Sequence, residues 1–125
     1  MSENDKILDN IQTRISLENN PFPFFFINNF LPLDIVKKAE DEFVKFSKLK
    51  DAGNERYQKT KLVFNRLNEM PNTIKKIINI LYSDKFLKIL ENKFKLSNLE
   101  PDWDLIGGGM HQSFNGGFLK VHSDF

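Results

Sequence analysis

The sequence predicts an α+β domain in which a series of helices precedes a short β segment. Apolar residues recur at helical spacing through most of the first hundred residues. From Asp104 onward that spacing disappears, and residues 105–125 combine three consecutive glycines with strand-like runs, a pattern that disfavours a helix. A chain of 125 residues corresponds to one domain or to a part of a larger one.

The composition excludes several classes of protein. Hydrophobic residues make up 40% of the chain and charged residues 28%, which is ordinary for a globular protein. Lys and Arg total 18 against 17 Asp and Glu, and this balance predicts neither nucleic acid nor a membrane as a partner. Because there is no cysteine, disulfides and thiolate zinc sites are excluded. The polar N-terminus lacks a secretory signal, which favours the cytoplasm.

The first part of the chain is interpreted as an N-terminal extension, residues 1–20, with a short amphipathic helix. Its apolar residues at helical spacing are Ile7, Leu8, Ile11 and Ile15. The run from Pro21 to Ile27 is apolar, aromatic and bracketed by prolines, which favours a buried strand beginning after Pro23. An exposed aromatic patch for recognition is the alternative interpretation of this run.

Helices with clear start signals come next in the chain, and together with the strand they form a supporting region, residues 21–100. Pro32 opens one helix and Pro71 another, since proline is tolerated in a first turn. Ser83 is expected to cap a further helix. Between these helices, residues 50–54 are expected to form a loop, and residues 57–64 are ambiguous, with an extended segment as one interpretation. The apolar stripes are Ile35, Val36, Ala39, Phe43 and Phe46; Ile74, Ile77, Ile78 and Leu81; and Phe86, Ile89, Leu90 and Phe94.

The last region, residues 101–125, contains both histidines of the chain, His111 and His122. The run Asn115-Gly116-Gly117 predicts a turn between two strands, so residues 105–125 are interpreted as a β-hairpin or meander. Such a turn would bring His111 close to the level of His122. Apolar residues around this polar segment favour a pocket over a solvated loop.

His122 and Asp124 are the candidate metal ligands. Residues i and i+2 of a strand project from the same face, so the two side chains can converge on one ion. An imidazole nitrogen with a carboxylate oxygen suits Fe(II) in a site of two histidines and one carboxylate. His111 is a third candidate on spacing alone. An ordinary surface pair without a metal is the alternative, because His-x-Asp also occurs by chance.

The residues Gly107-Gly-Gly-Met-His111-Gln and Gly116-Gly-Phe-Leu-Lys-Val-His122-Ser-Asp124-Phe125 resemble a known family. They are similar to the iron-site region of the 2-oxoglutarate- and Fe(II)-dependent oxygenases of the prolyl-4-hydroxylase-like superfamily, above all its small bacterial and viral members. Pro21-Phe-Pro, Ile27-Asn-Asn-Phe-Leu-Pro32 and Phe86-Leu…Leu90-Glu also resemble that group. The resemblance implies a double-stranded β-helix, a cupin-like jelly roll, with helices packed on one side.

The resemblance also implies a site and a reaction. His122 and Asp124 would be the first two iron ligands, and His111 would contact 2-oxoglutarate or line the pocket. Fe(II) would be the cofactor, 2-oxoglutarate the cosubstrate and ascorbate an auxiliary reductant, with O2 and an unidentified hydroxylation substrate as the other partners. Oxidative decarboxylation to succinate and CO2 would drive hydroxylation of a C–H bond.

The chain departs from the family beyond Asp124. Family members carry a second iron-binding histidine and an Arg or Lys that anchors 2-oxoglutarate well downstream. We therefore expect this chain to be the N-terminal part of such a dioxygenase, inactive and aggregation-prone by itself. Two alternatives remain: a non-catalytic remnant or binding module, and a cupin-like protein that binds metal through His111, His122 and Asp124.

Overall fold

The computed structural model describes residues 2–9, 11–53 and 58–123, and these fall into two compact units. The helical unit comprises the described residues of 1–44 and 71–101, and the sheet unit those of 45–70 and 102–125. The helices are α1 Glu3–Leu8, α2 Ile11–Arg14, α3 Leu33–Lys45, α4 Asn72–Leu81 and α5 Asp84–Phe94, with a 3-10 turn at Leu67–Glu69. The strands are β1 Lys50–Asp51, β2 Gln58–Phe64 and β3 Met110–Leu119. The α+β class is confirmed.

The core of the helical unit includes the N-terminal residues. Ile7, Leu8, Ile11 and Ile15 are buried, as their helical spacing predicts, but they lie on two short helices and the residue after α2. They make up four of the eight buried residues in this apolar cluster. Ser2 caps α1 by accepting a hydrogen bond from the Asp5 N–H at 3.0 Å. Residues 2–9 and 11–20 therefore belong to the packed unit, where an extension was expected.

The buried strand expected after Pro23 is not formed. Phe24 makes a single β-bridge with Glu18, and the residues around it have no regular strand partner in the part of the chain that is described. Phe22 and Phe26 are 63% and 77% exposed, and Phe24 contacts both rings edge to face. The prediction of a buried strand was wrong because only Phe25 and Ile27 pack on the core. Phe22 and Phe26 are exposed and Phe24 is half-buried between them, so the exposed aromatic patch of the alternative interpretation stays a hypothesis.

The three longer helices begin where their sequence signals predict, but α3 ends at Lys45, so Phe46 of the predicted stripe lies outside the helix. Pro32 precedes α3, Pro71 precedes α4, and the Ser83 hydroxyl accepts a hydrogen bond from the Phe86 N–H at 3.3 Å. Glu42 on α3 holds the start of α4 by accepting hydrogen bonds from the Thr73 N–H at 2.8 Å and its hydroxyl at 2.7 Å. Among the described residues, no helix has the length and apolar character needed to cross a bilayer.

The sheet is antiparallel, with β2 between β1 and β3. The ambiguous segment is extended, as β2 from Gln58, while Tyr57 lies outside the described residues. Residues 50 and 51, expected in a loop, pair with β2 as a two-residue strand. The turn expected at Asn115-Gly116-Gly117 was wrong, because β3 passes through these residues without reversing and pairs with β2 on both sides.

The sheet unit has a small core of its own. Phe64, Met70, Leu105 and Met110 are buried in it. The ring of Phe46 packs edge to face on that of Phe64, with centroids 4.9 Å apart. Gly109 passes so close to β2 that a Cβ there would lie 2.5 Å from the Phe64 carbonyl oxygen. Together with its φ of +123°, this approach requires glycine where β3 begins.

Candidate functional site

Strand β3 positions the two histidines at its opposite ends. His111 is the second residue of the strand, lies opposite Val63 and is exposed. His122 lies three residues after the strand ends at Leu119 and is also exposed. The residues between the two histidines therefore decide whether the imidazoles can meet.

A wide bulge replaces the expected turn in the middle of β3. Ser113 pairs with Lys61 and Phe118 with Lys59, so residues 114–117 of β3 oppose the single residue Thr60. Thr60 has a φ of +53° and Gly116 a φ of +80°, and a Cβ on Gly117 would overlap the Thr60 hydroxyl. Glycines that suit a tight turn suit such a bulge equally, so the Asn-Gly-Gly signal could not distinguish the two structures.

Because the strand does not reverse, it keeps the two imidazoles apart. Five residue steps along β2, from Val63 opposite His111 to Gln58 opposite Leu119, correspond to about 16 Å. The ring of His122 stays beside Lys120, just after that far end. Among the described residues, no three His, Cys, Asp or Glu side chains converge on a common point. The structure thus does not bring His111 to the level of His122.

The His122 ring makes a hydrogen bond to the main chain two residues earlier. Its Nδ1 lies 2.7 Å from the carbonyl oxygen of Lys120. A carbonyl can only accept, so the hydrogen bond requires the proton on Nδ1. In the neutral imidazole the lone pair is then on Nε2. Histidines that bind metals commonly donate their second N–H to such an acceptor, which fixes tautomer and orientation.

The second candidate ligand, Asp124, lies outside the described residues. The geometry of the His122–Asp124 pair, which would share a face in a regular strand, is therefore an expectation from sequence. The structure does describe the residues just before Asp124: strand β3 ends at Leu119, and the chain bends at Val121. Across this bend the imidazole reaches back to the Lys120 carbonyl.

The apolar residues in the second half of β3 and just after it are largely open to solvent. Phe114, Phe118 and Leu119 are about half exposed and Val121 is fully exposed. Strand β3 is the outer strand of the sheet among the described residues, so its second edge pairs with no described strand. The apolar residues that predicted a pocket are therefore exposed in the described part of the chain.

The sequence interpretation missed a group of charged residues in the helical unit. Lys6 and Arg14 line a groove at the N-terminal helices, next to exposed apolar residues of α3. Arg14 donates from Nη2 to the main-chain carbonyls of Asn28 and Asn29. Its position in the last turn of α2 gave no distinctive signal, because a basic residue there is equally typical of a solvated helix end.

Comparison with known proteins adds no relative. No family model, no curated protein and no solved structure matches the chain. The resemblance to the 2-oxoglutarate-dependent oxygenases therefore depends on the residues themselves, chiefly those at 107–112 and 116–125.

Proposed function

We propose that His122 and Asp124 are two of the iron ligands of a 2-oxoglutarate- and Fe(II)-dependent dioxygenase, a hydroxylase of the prolyl-4-hydroxylase-like type. The observation that carries this proposal is the hydrogen bond from His122 Nδ1 to the Lys120 carbonyl. It presents Nε2 as the basic nitrogen two residues before a carboxylate, at the end of a strand.

The donor set of this pair suits the proposed metal. An imidazole nitrogen and a carboxylate oxygen are the ligand types of the facial iron site, which leaves positions for small molecules. The chain holds no cysteine, so thiolate sites for zinc or iron–sulfur clusters are not alternatives here. The Lys120 carbonyl would orient the imidazole before any metal binds, and the ring would therefore lose little further freedom on coordination.

The third ligand follows from the same proposal. A site with two histidines needs a second imidazole, and His111 is separated from the His122 end of β3 by about 16 Å of strand. We therefore assign the second imidazole, and the group that anchors 2-oxoglutarate, to residues outside this sequence. The three strands would be part of a double-stranded β-helix whose next strands pair with the open edge of β3.

In this proposal, the bound iron supplies the oxidative decarboxylation of 2-oxoglutarate that drives hydroxylation of a C–H bond. The chain itself contributes ligands and orientation. His122 and Asp124 hold the ion, the Lys120 carbonyl fixes the ring, and the apolar residues near the end of β3 limit the access of water once covered. The separation along β3 gives no support to His111 as a contact to the same 2-oxoglutarate.

Metal binding can be tested through the imidazole nitrogens. Long-range ¹H–¹⁵N spectra of the metal-free protein near pH 8 should show His122 with its proton on Nδ1. Added Mn²⁺, a redox-stable substitute for Fe(II), should broaden the His122 signals before those of His111. Asp124→Asn should weaken this effect, and the matched control His111→Gln should leave it unchanged.

The other outcomes discriminate between the interpretations. Equal broadening of both histidines, lost in either variant, would favour the cupin-like site that uses His111. No preference for His122 would favour an ordinary surface pair. Iron-dependent succinate release by the 125-residue chain, above that of His122→Ala, would overturn the assignment of the third ligand. In the gene, a histidine and a following Arg or Lys downstream of Phe125 would support the dioxygenase, whereas a stop codon would favour a non-catalytic binding module.

A further inference from the structure

A groove of about 780 Å³ lies in the helical unit, between the N-terminal helices and the start of α3. Its volume is in the range of sites that bind small molecules. Its lining combines an apolar wall from the segment before α3 and its first turn with charged side chains from the N-terminal helices. This groove is separate from the residues to which we assign the iron site.

The apolar wall is unusually exposed for its residue types. Leu33 is 67% exposed and Val36 is 43% exposed, whereas the neighbouring Phe30 is half-buried against the core. One helical turn separates Leu33 from Val36, so both side chains lie on the same side of α3. An alkyl chain placed along this wall would remove their apolar surface from water.

The charged side of the groove is positive. Arg14 donates from Nη2 to the carbonyl oxygens of Asn28 and Asn29, the latter at 3.1 Å. These neutral acceptors hold the guanidinium in place without compensating its charge, and a guanidinium has five N–H donors in total. Lys6 adds a second cation. Glu3, the carboxylate of the described lining, is ion-paired with Lys76.

We propose that this groove binds an amphipathic monoanion, namely an unbranched alkyl chain that ends in a carboxylate. The chain would lie along Phe30, Leu33 and Val36, and the carboxylate would face Lys6 and Arg14. A fixed guanidinium is well suited to a carboxylate because its planar N–H groups match the two oxygens. The charge of the groove selects the head group, and its apolar wall selects the tail.

The probes for the test are octanoate, decanoate and decanol, used below their aggregation limits and titrated into the 125-residue protein by NMR. Decanoate should shift the backbone amide signals of residues 14, 30, 31 and 33–36. Each added methylene should tighten Kd about two- to fourfold, because burial of a CH₂ contributes roughly 0.8 kcal/mol and the groove is partly open. Decanol, which has the same tail without the charge, should bind about tenfold more weakly.

Variants separate the two halves of the site. Lys6→Gln should weaken decanoate binding without affecting decanol, and Val36→Asp should weaken both. Lys38→Gln is the matched control, because Lys38 is an exposed cation on α3 outside the groove. Arg14→Lys keeps the positive charge but removes the planar N–H groups of the guanidinium, so it tests whether their geometry matters. If Arg14→Lys fails to fold, Lys6→Gln still tests the positive side of the groove. Equal binding of decanoate and decanol, no dependence on chain length, or an equal loss in Lys38→Gln would each overturn the proposal.

Discussion

Replacing Gly109 with alanine should loosen the start of β3 from the end of β2, whereas the same change at Gly107 should not. The two glycines are two residues apart in one glycine run, so the substitutions are chemically identical and nearly coincident in sequence. They differ in their surroundings. Around Gly107 no atom lies within 4 Å of an added Cβ, while at Gly109 the added Cβ meets the backbone of β2.

The magnitude follows from two costs at Gly109. A Cβ there would lie 2.5 Å from the Phe64 carbonyl oxygen, and backbone atoms cannot rotate away as a side chain would. The φ of +123° is strained for alanine, at about 1–3 kcal/mol. With the steric overlap added, we expect the free energy of unfolding to fall by about 2–4 kcal/mol. Gly107→Ala should be neutral or stabilising by about 0.4–1 kcal/mol, because alanine restricts the unfolded chain.

Urea unfolding followed by tryptophan fluorescence measures this difference in the relevant unit. Trp103 is the single tryptophan of the chain and belongs to the sheet unit, as do both glycines. Amide hydrogen exchange of residues 110–113 gives an independent local measure of the β2–β3 pairing. Unfolding free energies of the two variants within about 0.5 kcal/mol of each other would refute the close approach at Gly109.

Three further predictions concern both units. Ile11→Ala should lower the free energy of unfolding by about 2–5 kcal/mol, measured by thermal unfolding, because Ile11 is 0% exposed. Val44→Ala, at a residue that is 80% exposed, should change it by less than about 0.5 kcal/mol. Equal losses in the two variants would contradict a core built on the N-terminal residues. The Lys88 ammonium, and then the Leu99 N–H, hold the pKa of Glu91 below its ordinary value. These two interactions stabilise the folded protein fully at pH values above the ordinary pKa of glutamate, and the stabilisation is lost as the pH falls through the lowered pKa of Glu91. Glu91→Gln should therefore flatten the acid side of a plot of unfolding free energy against pH. Phe118→Glu should reduce light scattering by the purified protein, since it places a charge on the open strand opposite Lys59; a monomeric wild-type chain would contradict this reasoning.

The helices could be predicted because their signals are local. Ser83 caps α5 through a hydrogen bond to the N–H three residues later, and a serine before an apolar stripe indicates such a cap from sequence alone. The same holds for Pro32 and Pro71, whose positions before α3 and α4 need no distant partner. The starts of these helices agree with the sequence because residues within one turn determine them.

The wrong predictions concern residues whose structure depends on distant partners. Phe24 has the residue type and neighbours of a buried strand, but a strand needs a second strand, and among the described residues only Glu18 pairs with it. The run Asn115-Gly116-Gly117 fits a turn or a bulge, and the pairing of both flanks with β2 decides for the bulge. Asn and Gly residues within a strand-like run therefore predict a local departure from regular strand geometry. Pairing with the neighbouring strand determines whether that departure is a turn or a bulge.

For the candidate site, sequence and structure contribute different parts. The His-x-Asp spacing predicted His122 as a candidate ligand, whereas its tautomer follows from a main-chain hydrogen bond that the residue types do not predict. The partner of the Nδ1–H is a main-chain carbonyl two residues earlier, so this hydrogen bond does not require any particular side chain at position 120. A hydrogen bond within residues 120–122 thus places the proton on Nδ1 and the lone pair of the neutral ring on Nε2. If the dioxygenase assignment is correct, a protein that supplies more of the metal-binding residues should bind the metal more tightly. The chemical shifts that report the Nδ1–H tautomer of His122 in the metal-free protein should stay constant across that series.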